Sequence, residues 1–214
     1  YVKRFILIMI ASLLFLGGCQ VDAYPEVPAF EDEFTREFLP STEEVEEGYY
    51  LFESKTGGYQ MLFPENARIS EFSYKKAGEE FETLIIENFN DEDDISVDHT
   101  LVYDFQGQEN YEKILSARLN SLSTRVGYDG EYERFETKDK EIYYAHDTHN
   151  FEIDNSSHTV YRTFAYIIPK EGQFIVEYIY STRCNVDINC SINQEEQKEN
   201  AFKMMKSVKF MTLD

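Results

Sequence analysis

Two of the three cysteines, Cys184 and Cys190, lie close enough in sequence to act together. A redox pair usually has two residues between its cysteines and lies at the N-terminus of a helix, which favours the reactive thiolate. Here five residues intervene, and one of them, Asp187, adds a negative charge that disfavours a thiolate. A structural disulfide needs an oxidising compartment outside the cytoplasm. We therefore expect a disulfide between Cys184 and Cys190 in an exported protein, with a redox or metal-binding pair as the alternative.

The four histidines, His99, His146, His149 and His158, give little support for a metal site. His146 and His149 are three residues apart in a predicted strand, so their side chains point to opposite faces of a sheet. Zinc needs ligands that converge within about 2.1 Å of one ion. His158 could meet His149 across a turn at 154–155, which leaves a weak metal-binding alternative. We expect histidines on exposed strand surfaces and no metal site.

Catalytic and ion-binding motifs are equally weak. The acidic run at 91–94 suggests calcium binding, but an EF-hand-type loop counted from its first residue requires Gly and Glu where the chain has Ser96 and Val102. The sequence contains neither Gly-x-Ser-x-Gly nor His-Glu-x-x-His. Neighbouring carboxylates such as Glu79 and Glu80 are common in so acidic a chain and do not indicate glycoside hydrolysis. We therefore predict no catalytic residue and no cofactor.

The first nineteen residues combine the features of an export signal. Lys3 and Arg4 precede an uncharged, apolar run of twelve residues at 5–16. That run is shorter than the roughly twenty residues of a membrane-spanning helix, and it suits a signal peptide. It ends in Leu16-Gly17-Gly18-Cys19, which resembles the lipobox of bacterial lipoproteins. The resemblance implies a signal peptide at 1–18 and a diacylglycerol attached to the Cys19 thiol; the alternative is an ordinary secretory signal with a chance cysteine.

The charge of the chain limits its partners. It carries 41 acidic and 20 basic residues, a formal net charge of −21 at pH 7. Nucleic acid is excluded as a partner because phosphate binding needs a basic face. Aromatic residues make up 15% of the chain, which is too many for a disordered acidic protein. We expect a protein that is attached to the cell membrane through Cys19, on the extracytoplasmic face, with its charged domain held away from anionic headgroups.

The segment at 19–47 is acidic and contains three of the five prolines. Charge repulsion and proline stiffness favour an extended tether. Four of its apolar residues, however, have the spacing of one helical face: Phe30, Phe34, Phe38 and Leu39. A short amphipathic helix that docks back on the domain is therefore the alternative.

The remaining residues, 48–214, have the pattern of one globular domain. Short aromatic and β-branched runs bounded by Gly, Pro and Asp predict strands, and apolar residues at a helical period predict two helices. The helices are expected to begin near Tyr111 and Glu195, the second with Asn193 and Glu196 at capping-box spacing. The predicted strands are 49–53, 59–63, 83–89, 101–105, 132–137, 142–151, 159–168 and 174–181.

This order of elements predicts an α+β fold, in which a mostly antiparallel sheet of seven or eight strands packs with two main helices. The opening Gly58-Tyr59-Gln60-Met61-Leu62-Phe63-Pro64 resembles the first strand of PsbP-like domains. The closing Ala201-Phe202-Lys203-Met204-Met205-Lys206-Ser207-Val208-Lys209-Phe210 is similar to their terminal helix and its Ser-x-Lys-Phe end. Small bacterial lipoproteins of the DcrB-like group share this fold. The resemblance implies a PsbP-like sandwich over about 48–212 and an accessory role in the envelope, and it implies no particular site.

Taken together, these features favour a non-enzymatic binding or accessory lipoprotein that contacts an envelope protein partner. A free sheet edge or a tyrosine-rich face is expected to make the contact, the tyrosines being Tyr161, Tyr166, Tyr178 and Tyr180. One alternative is a cell-envelope hydrolase whose site is assembled from scattered residues. Another is a small solute-binding lipoprotein, although two-lobed binding proteins usually need a longer chain.

Overall fold

The computed structural model describes residues 24–90, 95–105, 111–153, 156–185 and 192–211. Within them, eleven strands and four α-helices form the α+β fold that was predicted. The predicted signal peptide, Cys19, the acidic run at 91–94 and Cys190 lie outside these residues. In the part of the chain that is described, no helix is both long and apolar enough to cross a bilayer.

Most helices and strands agree with the predicted ones, but the strand predicted at 101–105 begins six residues earlier, at Ile95. The strands are β1 (Tyr49–Glu53), β2 (Tyr59–Pro64), β3 (Arg68–Ile69), β4 (Lys75–Ala77), β5 (Phe81–Asn90), β6 (Ile95–Phe105), β7 (Glu133–Glu136), β8 (Lys140–Ile153), β9 (Ser156–Pro169), β10 (Phe174–Asn185) and β11 (Lys209–Phe210). The helices are α1 (Pro28–Glu31), α2 (Glu33–Arg36), α3 (Tyr111–Val126) and α4 (Gln194–Ser207), and a 3-10 helix spans Glu71–Ser73. Only elements of two to four residues were missed, because these are too short to show a period.

One large antiparallel sheet forms the body of the fold, in the order β3-β5-β6-β10-β9-β8-β7, with β4 also paired to β5. Six consecutive residues of the central strand β9, 163–168, are buried. Because side chains alternate between the two faces of a strand, such a run means that both faces are covered. Helix α3 packs on one face and α4 on the other. Their buried apolar residues are Leu115, Leu122 and Val126 in α3 and Ala201, Met204 and Met205 in α4.

The hairpin of β1 and β2 is confirmed, but it belongs to a second sheet, β1-β2-β11. This small sheet shares one hydrophobic core with α4. Its turn is tied to the large sheet by the buried Glu82 carboxylate, which accepts hydrogen bonds from the Ser54 hydroxyl at 2.6 Å and the Lys55 N–H at 3.0 Å. Gly58 is required in the turn, because a Cβ there would lie 2.1 Å from the Tyr103 hydroxyl oxygen.

The segment expected as an extended tether is docked on the domain over 28–39. Its side chains Phe30, Phe38 and Leu39 are buried in the main core. It forms two short helices instead of one, because Asp32 leaves the helical conformation and caps α2 by accepting a hydrogen bond from the Thr35 N–H at 2.7 Å. Burying a large apolar side chain contributes about 1.5–3 kcal/mol, which offsets the repulsion among exposed carboxylates. The docking alternative therefore describes this stretch, and the domain begins before Gly48.

Helix α4 is held at both ends. At its start, the Asn193 side-chain oxygen accepts a hydrogen bond from the Glu196 N–H at 3.4 Å, as the capping pattern predicted. At its end, the buried ammonium of Lys140 donates to the carbonyl oxygens of Lys206 at 2.7 Å and Val208 at 2.5 Å. The last carbonyls of a helix have no partner within it and carry partial negative charge, so they can hold a buried cation. The cap orders the first turn of α4, and the Lys140 contacts tie its last turn to strand β8 of the large sheet.

Candidate functional site

A cavity of about 280 Å³ lies between the first turns of α4 and one end of strands β8, β9 and β10. Its lining is mostly polar, which is unusual at the margin of a hydrophobic core. The lining residues are His146, Asp147 and Thr148 from β8, Tyr161, Arg162 and Thr163 from β9, Tyr180 from β10, and Gln194, Gln197 and Lys198 from α4.

The register of the three strands places the side chains of the cavity floor in rows. His146 pairs with Thr163 and Thr163 pairs with Tyr180, so these residues are neighbours on one face of the sheet. Thr148 and Tyr161 are paired two positions further along and share that face. The floor is therefore built from alternate residues of adjacent strands, and rigid strand pairing sets their spacing.

The roof of the cavity is polar because the apolar stripe of α4 begins only at Ala201. One turn earlier, Gln197 faces the sheet. Its amide oxygen accepts a hydrogen bond from the Tyr180 hydroxyl at 3.0 Å and from the Thr182 hydroxyl at 2.7 Å. Two hydrogen bonds, in place of close apolar packing, hold this part of the helix over the sheet, and a small space remains beside them.

The ionisable groups of the cavity leave it with little net charge. The Nδ1 atom of His146 lies 2.8 Å from the Thr163 hydroxyl oxygen. Burial lowers the pKa of His146, and the nearby Lys198 ammonium lowers it further, so the imidazole is neutral at pH 7. Lys198 itself forms an ion pair with Glu195 at 2.8 Å. A nearly neutral polar cavity is notable in a chain of net charge −21.

The remaining two charged residues of the lining, Asp147 and Arg162, are paired with each other. The Arg162 Nε donates to one carboxylate oxygen of Asp147 at 2.8 Å, and the guanidinium also contacts the other oxygen. The same guanidinium donates to the Val126 carbonyl oxygen at 2.8 Å, at the end of α3. Since these side chains alternate to the face that α3 covers, their charges are used within the fold.

The predicted cysteine site is only partly within the described residues. Cys184 lies near the end of β10 and is 2% exposed. Cys190 lies outside the described residues, so the disulfide stays a prediction.

The four histidines have different surroundings. His99 was expected on the surface and is instead 3% exposed; its Nδ1 lies 2.5 Å from the Tyr178 hydroxyl oxygen, and burial lowers its pKa to about 3. His149 is exposed and lies on the face opposite to His146, as predicted, while His158 stacks on Phe151. In the part of the chain that the structure covers, no three His, Cys, Asp or Glu side chains are grouped so that they could hold a metal ion.

The tyrosine-rich face predicted for a protein contact is not available on the surface. Tyr166, Tyr178 and Tyr180 are buried, and Tyr166 points to the opposite face of the sheet from the other two. The sequence pattern could not show that these tyrosines are buried. Both faces of the central strands are covered by other elements, and the pattern of a single strand does not reveal that cover. Tyr161 alone of the four is partly exposed, and it lines the cavity.

Sequence reasoning missed the residues of α4 that close the cavity. Gln194, Gln197 and Lys198 have the polarity of an ordinary solvated helix start, and nothing in the sequence relates them to His146, about fifty residues earlier. One usable signal was Thr163. It is a polar residue directly before the apolar run 164–168 of a predicted strand, and a polar residue buried there needs a hydrogen-bonding partner.

A second, wider groove of about 650 Å³ lies between α3 and strands β7 and β8. Its wall includes Leu115, Leu119 and Tyr132, and the ion pair of Arg134 and Glu141. We regard the polar cavity as the better candidate, because hydrogen bonds within the fold already orient its polar groups.

Comparison with known proteins shows the family of this chain. The family model YvcA_Mog1p, described as "Putative lipoprotein YvcA", matches residues 25–209, which include the docked segment. "Putative lipoprotein YvcA" from Bacillus subtilis (strain 168) is 32% identical over 190 residues, covering 87% of this chain and 78% of that protein.

Among solved structures, the chain is similar to LpqN of Mycobacterium tuberculosis, described as involved in cell envelope biogenesis. The TM-score is 0.40 at 9% sequence identity, and the match covers 77% of this chain and 91% of that one.

Proposed function

Because this chain belongs to the YvcA family of lipoproteins, we propose that it is a lipid-anchored binding protein of the extracytoplasmic membrane face. Cys19 carries the acyl chains, and the cavity under α4 binds a small, uncharged, polar ligand. The lipobox-like Leu16-Gly17-Gly18-Cys19 supports the anchor. The cavity, with its hydrogen-bonding and nearly neutral lining, is the observation that carries the binding function.

The geometry favours binding over catalysis. A histidine hydrogen-bonded to a hydroxyl is the arrangement of a base beside a nucleophile, and His146 and Thr163 have it. Thr163, however, is only 4% exposed and its hydroxyl is already hydrogen-bonded to His146, so we propose that it shapes the cavity floor and does not attack a substrate. The imidazole and hydroxyl instead satisfy each other at the edge of the core. We therefore assign this pair to the cavity floor and not to a reaction.

The size and charge of the cavity point to the class of ligand. A volume of about 280 Å³ suits a molecule no larger than a single sugar unit. Hydroxyl, imidazole and amide groups can donate and accept hydrogen bonds, and Tyr161 adds an aromatic ring. A charged ligand would find little unpaired charge, because Asp147 and Arg162 pair with each other and Lys198 pairs with Glu195 beside the cavity. A neutral polyhydroxylated compound fits these properties.

We also propose that the protein has an accessory role in the envelope and that its sheet and helices have a PsbP-like arrangement. An envelope protein partner remains part of it, and the free edges of the large sheet, β3 with β4 on one side and β7 on the other, are the surfaces proposed for that contact.

Ligand-observed saturation-transfer NMR tests the cavity with a defined set of probes. Glucose and N-acetylglucosamine represent neutral sugars, and glucuronate and glucosamine represent their charged counterparts. We expect transfer to the neutral sugars at millimolar concentration, and less to the charged ones. Equal or stronger transfer to the charged probes, or none to any of them, would refute the proposed ligand class.

A matched pair of variants on β8 tests whether the binding occurs in this cavity. Thr148 and His149 are adjacent and both exposed, but only Thr148 lines the cavity. Thr148→Trp is expected to fill the opening and abolish transfer to the neutral sugars, while His149→Trp keeps it. Loss of transfer in both variants, or in neither, would show that the sugars bind elsewhere.

A further inference from the structure

We infer that the surface formed by Tyr24, Arg68, Phe72, Lys75 and Lys76 rests on the lipid bilayer, and we call it the membrane-facing surface. This inference depends on the proposed lipid anchor at Cys19. It follows from the docking of the N-terminal segment, which was expected to hold the domain away from the membrane.

Little chain is available between the anchor and the domain. Tyr24 lies five residues after Cys19, and a fully extended chain of five residues spans at most about 18 Å. The ring of Tyr24 is stacked on that of Phe30 at 5.8 Å, and the Arg36 guanidinium lies 4.8 Å from its centre. Phe30 is 2% exposed, so Tyr24 is held against the folded domain. The domain must therefore stay within contact range of the bilayer.

The docked segment cannot easily lengthen this connection. Three hydrogen bonds at different positions hold it to strands β1 and β3 and to the chain after β2. The Ala29 N–H donates to the Glu65 carbonyl oxygen at 2.9 Å, the Glu53 N–H donates to the Phe38 carbonyl oxygen at 2.9 Å, and the Ile69 N–H donates to the Thr35 hydroxyl at 2.8 Å. Releasing the segment would break all three and expose buried aromatic rings.

Strand β3 and the loop after it are the part of the domain next to the docked segment, and so next to the anchor. Glu31 of α1 pairs with Arg68 of β3 at 2.8 Å. The chain then passes from β3 into the 3-10 helix Glu71–Ser73, which carries Phe72, and Tyr74 returns to contact the Phe34 ring at 5.4 Å. Phe72 therefore projects from a loop whose two ends are both fixed to the docked segment.

The composition of this surface suits a lipid interface. Phe72 is 98% exposed, the most exposed of the large apolar side chains in the described residues. Lys75 and Lys76 follow on the exposed edge strand β4, and lysines beside an apolar side chain are typical of membrane interfaces. The carboxylates of Glu31, Glu33 and Glu71 lie nearby and oppose close contact with anionic lipid. A domain that is already anchored can therefore touch the bilayer through Phe72. The same surface is not expected to bring an unanchored domain to the membrane.

Tryptophan fluorescence offers a direct test, because the chain contains no tryptophan. Phe72→Trp in the full lipidated chain, reconstituted in phosphatidylcholine vesicles, places a single reporter on the proposed surface. We expect a blue-shifted emission and at least twofold quenching when dibrominated phosphatidylcholine replaces the ordinary lipid. Tyr24→Trp provides a second reporter on the same surface.

The control is His149→Trp, an exposed position on β8. Five strand spacings separate β8 from β3, or about 24 Å. We expect little quenching from this position. Equal quenching at Phe72→Trp and at the control His149→Trp, or no quenching at Phe72→Trp, would overturn the inference.

The anchor is checked separately, so that its failure is not confused with failure of the inference. Mass spectrometry of the native chain shows whether Cys19 carries diacylglycerol. An unmodified Cys19 refutes the proposed anchor and removes the basis of the inference. A lipidated, vesicle-bound chain whose Phe72→Trp reporter is not quenched refutes only the membrane-facing surface.

Discussion

The docking of the N-terminal segment can be tested by replacing one buried phenylalanine with alanine. Phe38 is 1% exposed and its ring lies 5.3 Å from that of Phe34, 5.6 Å from that of Phe52 and 5.3 Å from that of Tyr74. Replacing a fully buried Phe by Ala usually costs about 3–5 kcal/mol, because transfer free energy is lost and a cavity remains. We expect Phe38→Ala to lower the free energy of unfolding by about 4 kcal/mol.

The same substitution at an exposed phenylalanine supplies the control. Phe72 is 98% exposed, so Phe72→Ala should change the free energy of unfolding by less than about 0.5 kcal/mol. Both variants are compared in a Cys19→Ala background, which removes the lipid, by urea denaturation followed by circular dichroism. For a domain of this size, about 4 kcal/mol also corresponds to a fall in Tm of roughly 10 °C.

The result that refutes this reasoning is a small effect of Phe38→Ala. If the segment were an extended tether in solution, Phe38 would contact little, and its replacement would change stability no more than that of Phe72. A loss below about 1 kcal/mol would therefore return the acidic segment to the role of a tether. It would also remove the distance limit on which the membrane-facing surface depends.

Three further predictions concern single groups elsewhere in the fold. His99 is buried and its pKa is lowered to about 3, while an unfolded histidine titrates near 6.5. The stabilising contribution of its neutral form is complete above pH 6.5 and should be lost at about 1.4 kcal/mol per pH unit as the pH falls towards 3. In urea titrations, the free energy of unfolding of a His99→Phe variant should therefore depend less steeply on pH in this range. Lys140→Met should cost about 1–3 kcal/mol by leaving the last carbonyls of α4 without their donor, whereas the exposed Lys138→Met should have almost no effect on the urea midpoint. Alkylation of the unfolded chain before and after reduction should reveal two additional thiols, those of Cys184 and Cys190, only after reduction; equal labelling would contradict the predicted disulfide.

The helices and strands of this protein could be predicted because their signals are local. The apolar period that begins at Tyr111 and the aromatic run at 174–181 each identify an element without reference to the rest of the chain. The cap at Asn193 was likewise visible in the sequence, since the capping side chain and the residue whose N–H donates to it lie three positions apart. Elements of two or three residues, such as β3 and β11, form only where a partner strand is already present.

The candidate site was harder to predict because it joins distant parts of the chain. His146 and Thr163 were each predicted to lie on strands, yet only the register of β8 and β9 shows that they are paired. Gln197 meets Tyr180 only because the end of α4 is fixed by Lys140 and its apolar stripe is buried on the sheet. Such contacts depend on how surfaces pack, and a single sequence contains no direct record of that packing.

The sequence by itself determined the α+β class and the two main helices, because periodicity and capping are each read over a few neighbouring residues. The lipobox pattern is equally local, and the export signal that it predicts lies outside the described residues. Tertiary structure decided whether the acidic segment is a tether or a part of the domain. Its repulsion and its apolar spacing were both visible in the sequence, but they favour opposite outcomes. The balance depends on a surface that can accept Phe30 and Phe38, and that surface exists only once the small sheet has packed against the large one. Burial of these rings then exceeds the repulsion of exposed carboxylates, which water screens.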